Sequence, residues 1–167
     1  MDFKKFTGER VEDVASYIKD YIEDHKGEFV IMVGCDSLPH GLRKRKATFT
    51  EVVCLHQKVD GIGKGAHILY KREHKVRVFN TRDRLMKEAD RLVKVCQELR
   101  ESGIEAHERV LYMEPQLDFN KKNGEESNKY LDEARGYVKA FDFDVEVKPD
   151  APAASYAADH CCRGKEK

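Results

Sequence analysis

The sequence predicts an α/β fold: a mixed five-stranded sheet, three strands antiparallel and two added in parallel, with helices on its faces and an extra N-terminal helix. Three observations predict it. The continuous apolar run Phe29-Val30-Ile31-Met32-Val33-Gly34 reads as a strand buried on both faces, hence central. Two strand-like segments follow it at short spacing, which makes an antiparallel meander. Beyond them helical and strand patterns alternate, which adds parallel strands through right-handed crossovers.

The elements follow in order. Residues 9–26 place Val11, Val14, Ala15, Ile18 and Ile22 at helical spacing, and Gly27 ends that helix. The first strand runs into Cys35-Asp36-Ser37, with a turn at Pro39 and Gly41. A second strand covers about 47–57, rich in Thr and Val, and a third about 66–74, with a loop at 60–65 between them. The third is expected at one edge of the sheet. Residues 81–102 are the clearest helix, with Thr81 as N-cap, Gly103 as stop, and Leu85, Ala89, Leu92, Cys96 and Leu99 as its apolar stripe. A fourth strand spans 109–114, a polar loop 115–127, a helix 128–141 and a short alternating strand 144–148. Pro149-Asp150 opens a last, Ala-rich helix over 151–161, and the charged tail 163–167 is expected to fray. At 167 residues the chain suits a single domain over 1–167.

Composition narrows the function. Lys plus Arg and Asp plus Glu are 31 each, so bulk charge argues for neither nucleic acid nor membrane, and any such binding needs a local patch. No long apolar run or signal-like start is present, which points to the cytoplasm. The five cysteines, an odd number, read as reduced thiols.

Four acidic residues form a candidate site: Asp36, Glu88, Asp118 and Asp150. Asp36, Asp118 and Asp150 each fall shortly after the carboxyl end of a strand, where open α/β sheets build their sites. On the long helix Glu88 lies roughly 60° from Leu85, at the margin of the apolar stripe, whereas Asp90 lies roughly 140° away and points to solvent. Asp159 is an alternative to Asp150. Crowded carboxylates repel, and a divalent cation relieves the repulsion. All-oxygen donors favour Mg²⁺ or Mn²⁺. Two such ions activate water for phosphodiester hydrolysis. The plainer reading makes Asp36-Ser37 a turn, Asp150 an N-cap and Glu88 a solvated helix residue.

Three segments carry a family likeness. Val33-Gly34-Cys35-Asp36-Ser37, Gly63-Lys64-Gly65-Ala66 and Lys148-Pro149-Asp150 followed by Ala154-Ser155-Tyr156-Ala157 resemble, in the same order, stretches of the YkuK-like family of ribonuclease H-like proteins. The resemblance implies a ribonuclease H-like fold. It further implies carboxylates for two divalent metals on the first strand, the first crossover helix, the fourth strand and the last helix, and Asp36, Glu88, Asp118 and Asp150 look like those positions. The function expected is a Mg²⁺- or Mn²⁺-dependent phosphodiesterase acting on RNA or an RNA–DNA hybrid. The alternative is a non-catalytic ribonuclease H-like module that binds nucleic acid or a protein partner.

Other features are weaker. The basic run Leu42-Arg43-Lys44-Arg45-Lys46, with Lys71, Arg72, His74, Lys75 and Arg77, suits either a phosphate-binding rim or a protected edge strand. Cys54-Leu55-His56 and His160-Cys161-Cys162 hold zinc-ligand types without the usual paired spacing. Ser37 and His40 are near each other in sequence but lack an evident third group to complete a triad.

Overall fold

Seven strands form one sheet in this computed structural model, which describes residues 3–41, 45–120 and 126–163, the side chains of Asn120 and Glu126 aside. In chain order the elements are β1 (Phe3–Lys5), β2 (Arg10–Val11), α1 (Val14–Asp24), β3 (Glu28–His40), β4 (Lys46–Val59), β5 (Ile62–Arg77), α2 (Thr81–Glu101) and β6 (Val110–Asn120). There follow a 3-10 turn (Glu126–Tyr130), α3 (Leu131–Lys139), β7 (Glu146–Lys148) and a π-helical stretch (Ala153–Ala158) that continues into α4 (Asp159–Arg163). The strand order is β2-β1-β5-β4-β3-β6-β7.

The meander is antiparallel through β3, β4 and β5, and β6 and β7 join in parallel. This is the expected mixed sheet, with β3 in its interior. The strand count differs because Phe3–Lys5 and Arg10–Val11 pair into a small ribbon on β5, in register Lys4↔Tyr70 and Lys5↔Leu69. Strands of two or three residues are too short to show a period in sequence, so the N-terminal helix expected from residue 9 begins only at Val14. β5 therefore has a neighbour over part of the edge that it was expected to leave open. The loop expected at 60–65 shrinks to the turn Asp60-Gly61, both at positive φ (51° and 75°), which is the geometry of a tight two-residue hairpin.

The helices are capped by their own sequence. Asp13 accepts from the Ser16 N–H at 3.0 Å to start α1, and Asn80, not Thr81, accepts from the Asp83 N–H at 2.8 Å to start α2. Alternation along β3 sends Phe29, Ile31, Val33 and Cys35 to the main core, shared with Ile18 and Ile22 of α1 and Leu92, Cys96 and Leu99 of α2. The opposite face carries a smaller cluster, Val52 and Cys54 of β4 under Ala153, Ala158 and Cys161. There the final helical segment lies close on the sheet. A Cβ at Gly34 would stand 2.6 Å from the Ala154 backbone nitrogen, so only glycine admits this approach.

Candidate active site

Register brings the first two carboxylates together. The parallel pairing of β3 with β6 ends at Cys35↔Leu117. Asp36 and Asp118 are the next residues on each strand, so they stand side by side where the strands part. Pleat alternation puts them on the face of Gly34 and Gln116, beneath the final helical segment. Gln116 fixes that segment, its Oε1 accepting from the Ala153 N–H at 2.6 Å. Asp159, at the start of α4, lines the same cavity of about 300 Å³ as Asp36, Asp118 and Glu88.

Glu88 arrives from α2 on the other face. Ser37, pointing opposite to Asp36, donates its hydroxyl to Glu88 Oε1 at 2.5 Å, and Arg84 Nη1 donates to the same oxygen at 3.0 Å and to Ser37 Oγ at 2.8 Å. Glu88 is 1% exposed, a buried carboxylate with a buried cation one helical turn away. Burial, then the Asp36 charge, push its pKa well above the usual carboxylate range, with Arg84 and Ser37 acting against the shift. Burial, then the charge of Asp118, raise Asp36 to about 7, while the Ser37 N–H, 2.7 Å from Oδ1, opposes the rise. Lys148 Nζ lies 2.8 Å from Oδ1 and 3.0 Å from Oδ2 of Asp118. Burial lowers the Lys148 pKa, but the bond to Asp118 and the charges of Asp118, Asp36 and Asp159 more than offset this and raise it.

A family model described as Ribonuclease H-like matches residues 13–163. The chain belongs to this family. No curated protein and no solved structure matches it.

On this ribonuclease H-like frame, the expected site residues divide. Asp36, Glu88 and Asp118 share one cavity; Asp150 does not line it. Asp150 is exposed in the turn after β7, its N–H bonded to the Val147 carbonyl at 3.0 Å. The final helical segment begins after it and carries Asp159 to the cavity instead. Asp90 stays outside, accepting from Lys94 at 2.6 Å and the Tyr137 hydroxyl at 2.9 Å. Asp118 belongs to β6 itself, which extends through the region expected as loop.

Arg84 and Arg163 also line the cavity, and sequence reasoning missed both. Each stands four residues from a site acid, Arg84 before Glu88 and Arg163 after Asp159, a spacing that pairs side chains on a helix. The expected basic rim is elsewhere. Arg43 and Lys44 lie outside the described residues, Arg77 lies over the Phe79 ring, and His74 bonds Thr48. His40 also bonds Thr48, at 2.7 Å, while the Ser37 hydroxyl serves Glu88, so these two do not form a nucleophile–base pair. All five cysteines are buried free thiols.

Among the described residues no three His, Cys, Asp or Glu side chains are gathered closely enough to hold an ion as they stand. The donor set nonetheless suits an oxygen-preferring cation. Four carboxylates face one cavity, and the raised pKa of Asp36 marks a crowding of negative charge that a cation would relieve.

Proposed function

We propose that this chain is a Mg²⁺- or Mn²⁺-dependent phosphodiesterase that acts on RNA or an RNA–DNA hybrid. One observation carries the reading: carboxylates from four separate elements, β3, α2, β6 and α4, converge on one cavity that two arginines also line. Asp36, Asp118 and Asp159 would hold the metal, with Glu88 behind them. A bound divalent ion supplies a water of lowered pKa and neutralises charge on the phosphate.

The rest is the work of the chain. Arg84 is fixed by Glu88 and Ser37, so its charge is directed at the cavity without the loss of side-chain freedom that a mobile arginine would incur. Arg163 is 68% exposed and reaches solvent from the cavity rim, where a phosphodiester oxygen would meet it. The sequence Val33-Gly34-Cys35-Asp36-Ser37 acquires a physical reason for each role. Gly34 admits the final helical segment, Asp36 faces the cavity and Ser37 ties the strand to Glu88. This supports placing the chain in the YkuK-like branch. The five buried free thiols fit a reducing compartment such as the cytoplasm.

The test is cleavage of labelled RNA, RNA–DNA hybrid and DNA, with and without each metal. Metal-dependent cutting of RNA or the hybrid is expected, reduced to background in Asp36→Asn with the fold intact by circular dichroism. Binding of RNA without metal and without cleavage, unchanged in Asp36→Asn, would establish the non-catalytic module instead.

A further inference from the structure

Resting on the metal-site reading above, we propose that the site takes one divalent cation rather than two, because three of its four carboxylates already hold a cation of the chain itself. Lys148 lies on both oxygens of Asp118, at 2.8 and 3.0 Å. Arg84 lies 3.0 Å from Glu88 Oε1. Arg163 Nε lies 2.6 Å from Asp159 Oδ1. Asp36 differs. It is 9% exposed, its one hydrogen bond comes from the Ser37 N–H, and among the described residues no cationic side chain is in ion-pair distance of it.

The charges make the count. Four carboxylates give −4, and Lys148, Arg84 and Arg163 give +3, so the formal charge of the site is −1. One divalent ion brings it to +1, which a single phosphodiester charge balances. Two divalent ions would bring it to +3, an excess that one phosphodiester leaves largely unmet in a half-enclosed cavity. The three internal cations are not equally fixed. The Arg84–Glu88 pair is 18% and 1% exposed, and separating it would leave a buried charge alone. Arg163 is 68% exposed, so its pair is loose and Asp159 is available to an ion. Lys148 lies between these limits, 38% exposed, and reaches Asp118 from β7, outside the lining of the cavity. It is the cation whose removal would create a second ion position without disturbing the core. Lys148 is thus a specificity-determining residue: it sets the metal count by occupying the Asp118 oxygens.

Calorimetric titration with Mn²⁺ tests this on the whole chain, using wild type, Lys148→Met, Lys148→Gln and Lys148→Arg, each first shown to be folded by circular dichroism. One bound Mn²⁺ is expected for wild type and for Lys148→Arg, and a second for Lys148→Met and Lys148→Gln. Two ions bound to the wild type would overturn the single-ion count while leaving the metal reading intact. Met and Gln variants with the wild-type stoichiometry would overturn the role of Lys148. No Mn²⁺ bound to the wild type would overturn the metal reading itself.

Discussion

The two faces of the sheet are built to different standards. On one face α1, α2 and α3 bury a broad apolar cluster in which Phe29, Ile31, Leu55, Leu92 and Leu99 are fully covered. The other face holds only Val52, Cys54, Ala153, Ala158 and Cys161 as a buried cluster, under a helix that is π-wound for its first turns. Larger apolar side chains bury more area and contribute more stability. The first face therefore holds the fold. The second, lined by alanine and approached by backbone at Gly34, holds Asp36, Asp118 and Asp159 near one another. Stability and chemistry are carried by opposite sides of the same strands, and alternation along β3 is what separates them.

The contrast can be broken from the stable side first. Leu92→Ala empties a fully buried site on α2 and should cost about 2–5 kcal/mol in chemical denaturation, with the site geometry unchanged in what remains folded. A loss below ~1 kcal/mol would mean that the main cluster is not where stability lies. Gly34→Ala acts on the other face. Its methyl would fall 2.6 Å from Ala154 N and 2.7 Å from Ala153 C, so the final helical segment must move. The expected cost is about 1–3 kcal/mol, accompanied by a weaker response of the melting temperature to Mn²⁺, because Asp159 rides on that segment. Full retention of the Mn²⁺ response would show that the helix contact does not position the acid.

A smaller effect is read through pH. The Asp36 carboxyl titrates near 7 in the fold against an ordinary carboxylate value of 3.8 in the unfolded chain. Between those values the folded state holds a proton that the unfolded state lacks, so stability from this group is full below about pH 4 and is lost as pH rises through 7. The loss should be on the order of 2 kcal/mol once relaxation and water penetration are allowed for. Denaturation midpoints at pH 5 and pH 8 without metal, in wild type and Asp36→Asn, measure it; equal slopes in the two proteins would sink the assignment. The smallest effect belongs to Arg82→Ala, which removes an exposed pair with Glu133 and should change stability by no more than ~0.5 kcal/mol.

Much of the frame was legible because it rests on period. The apolar run at 29–34, the stripe of α2 and the alternation of strands and helices each repeat often enough to be read. Glu88 was legible for the same reason: its angle from Leu85 puts it at the stripe margin, and the structure buries it while Asp90 turns to Lys94 and Tyr137. Three things were not. The β1–β2 ribbon is too short for a pattern. β6 reads as ending before Pro115, yet that proline lies within the strand, pairing with Val33, and β7 pairs only from Gln116 onward, so at Pro115 the strand has a partner on one side alone. The choice between Asp150 and Asp159 turned on the exact start and winding of an Ala-rich segment. Its π-helical turns carry more residues than an α-helix, so α-helical spacing counted from the sequence does not locate Asp159.

The register of β3 with β6 also bears on when the cavity comes into being during synthesis. Asp36 is made early, Asp118 some eighty residues later, and Asp159 later still. The strand that Asp36 occupies can pair with β4 as soon as the meander has emerged, but its other neighbour, β6, waits for α2 to be made and docked. Contacts so distant in sequence form late, because the chain between them must first be closed into loops. A ribosome-bound chain that has not reached Asp159 therefore carries the acids of an incomplete cavity on an unfinished sheet. Chemistry that needs all four elements is withheld until the last of them has docked, so a growing chain cannot act on the RNA around it.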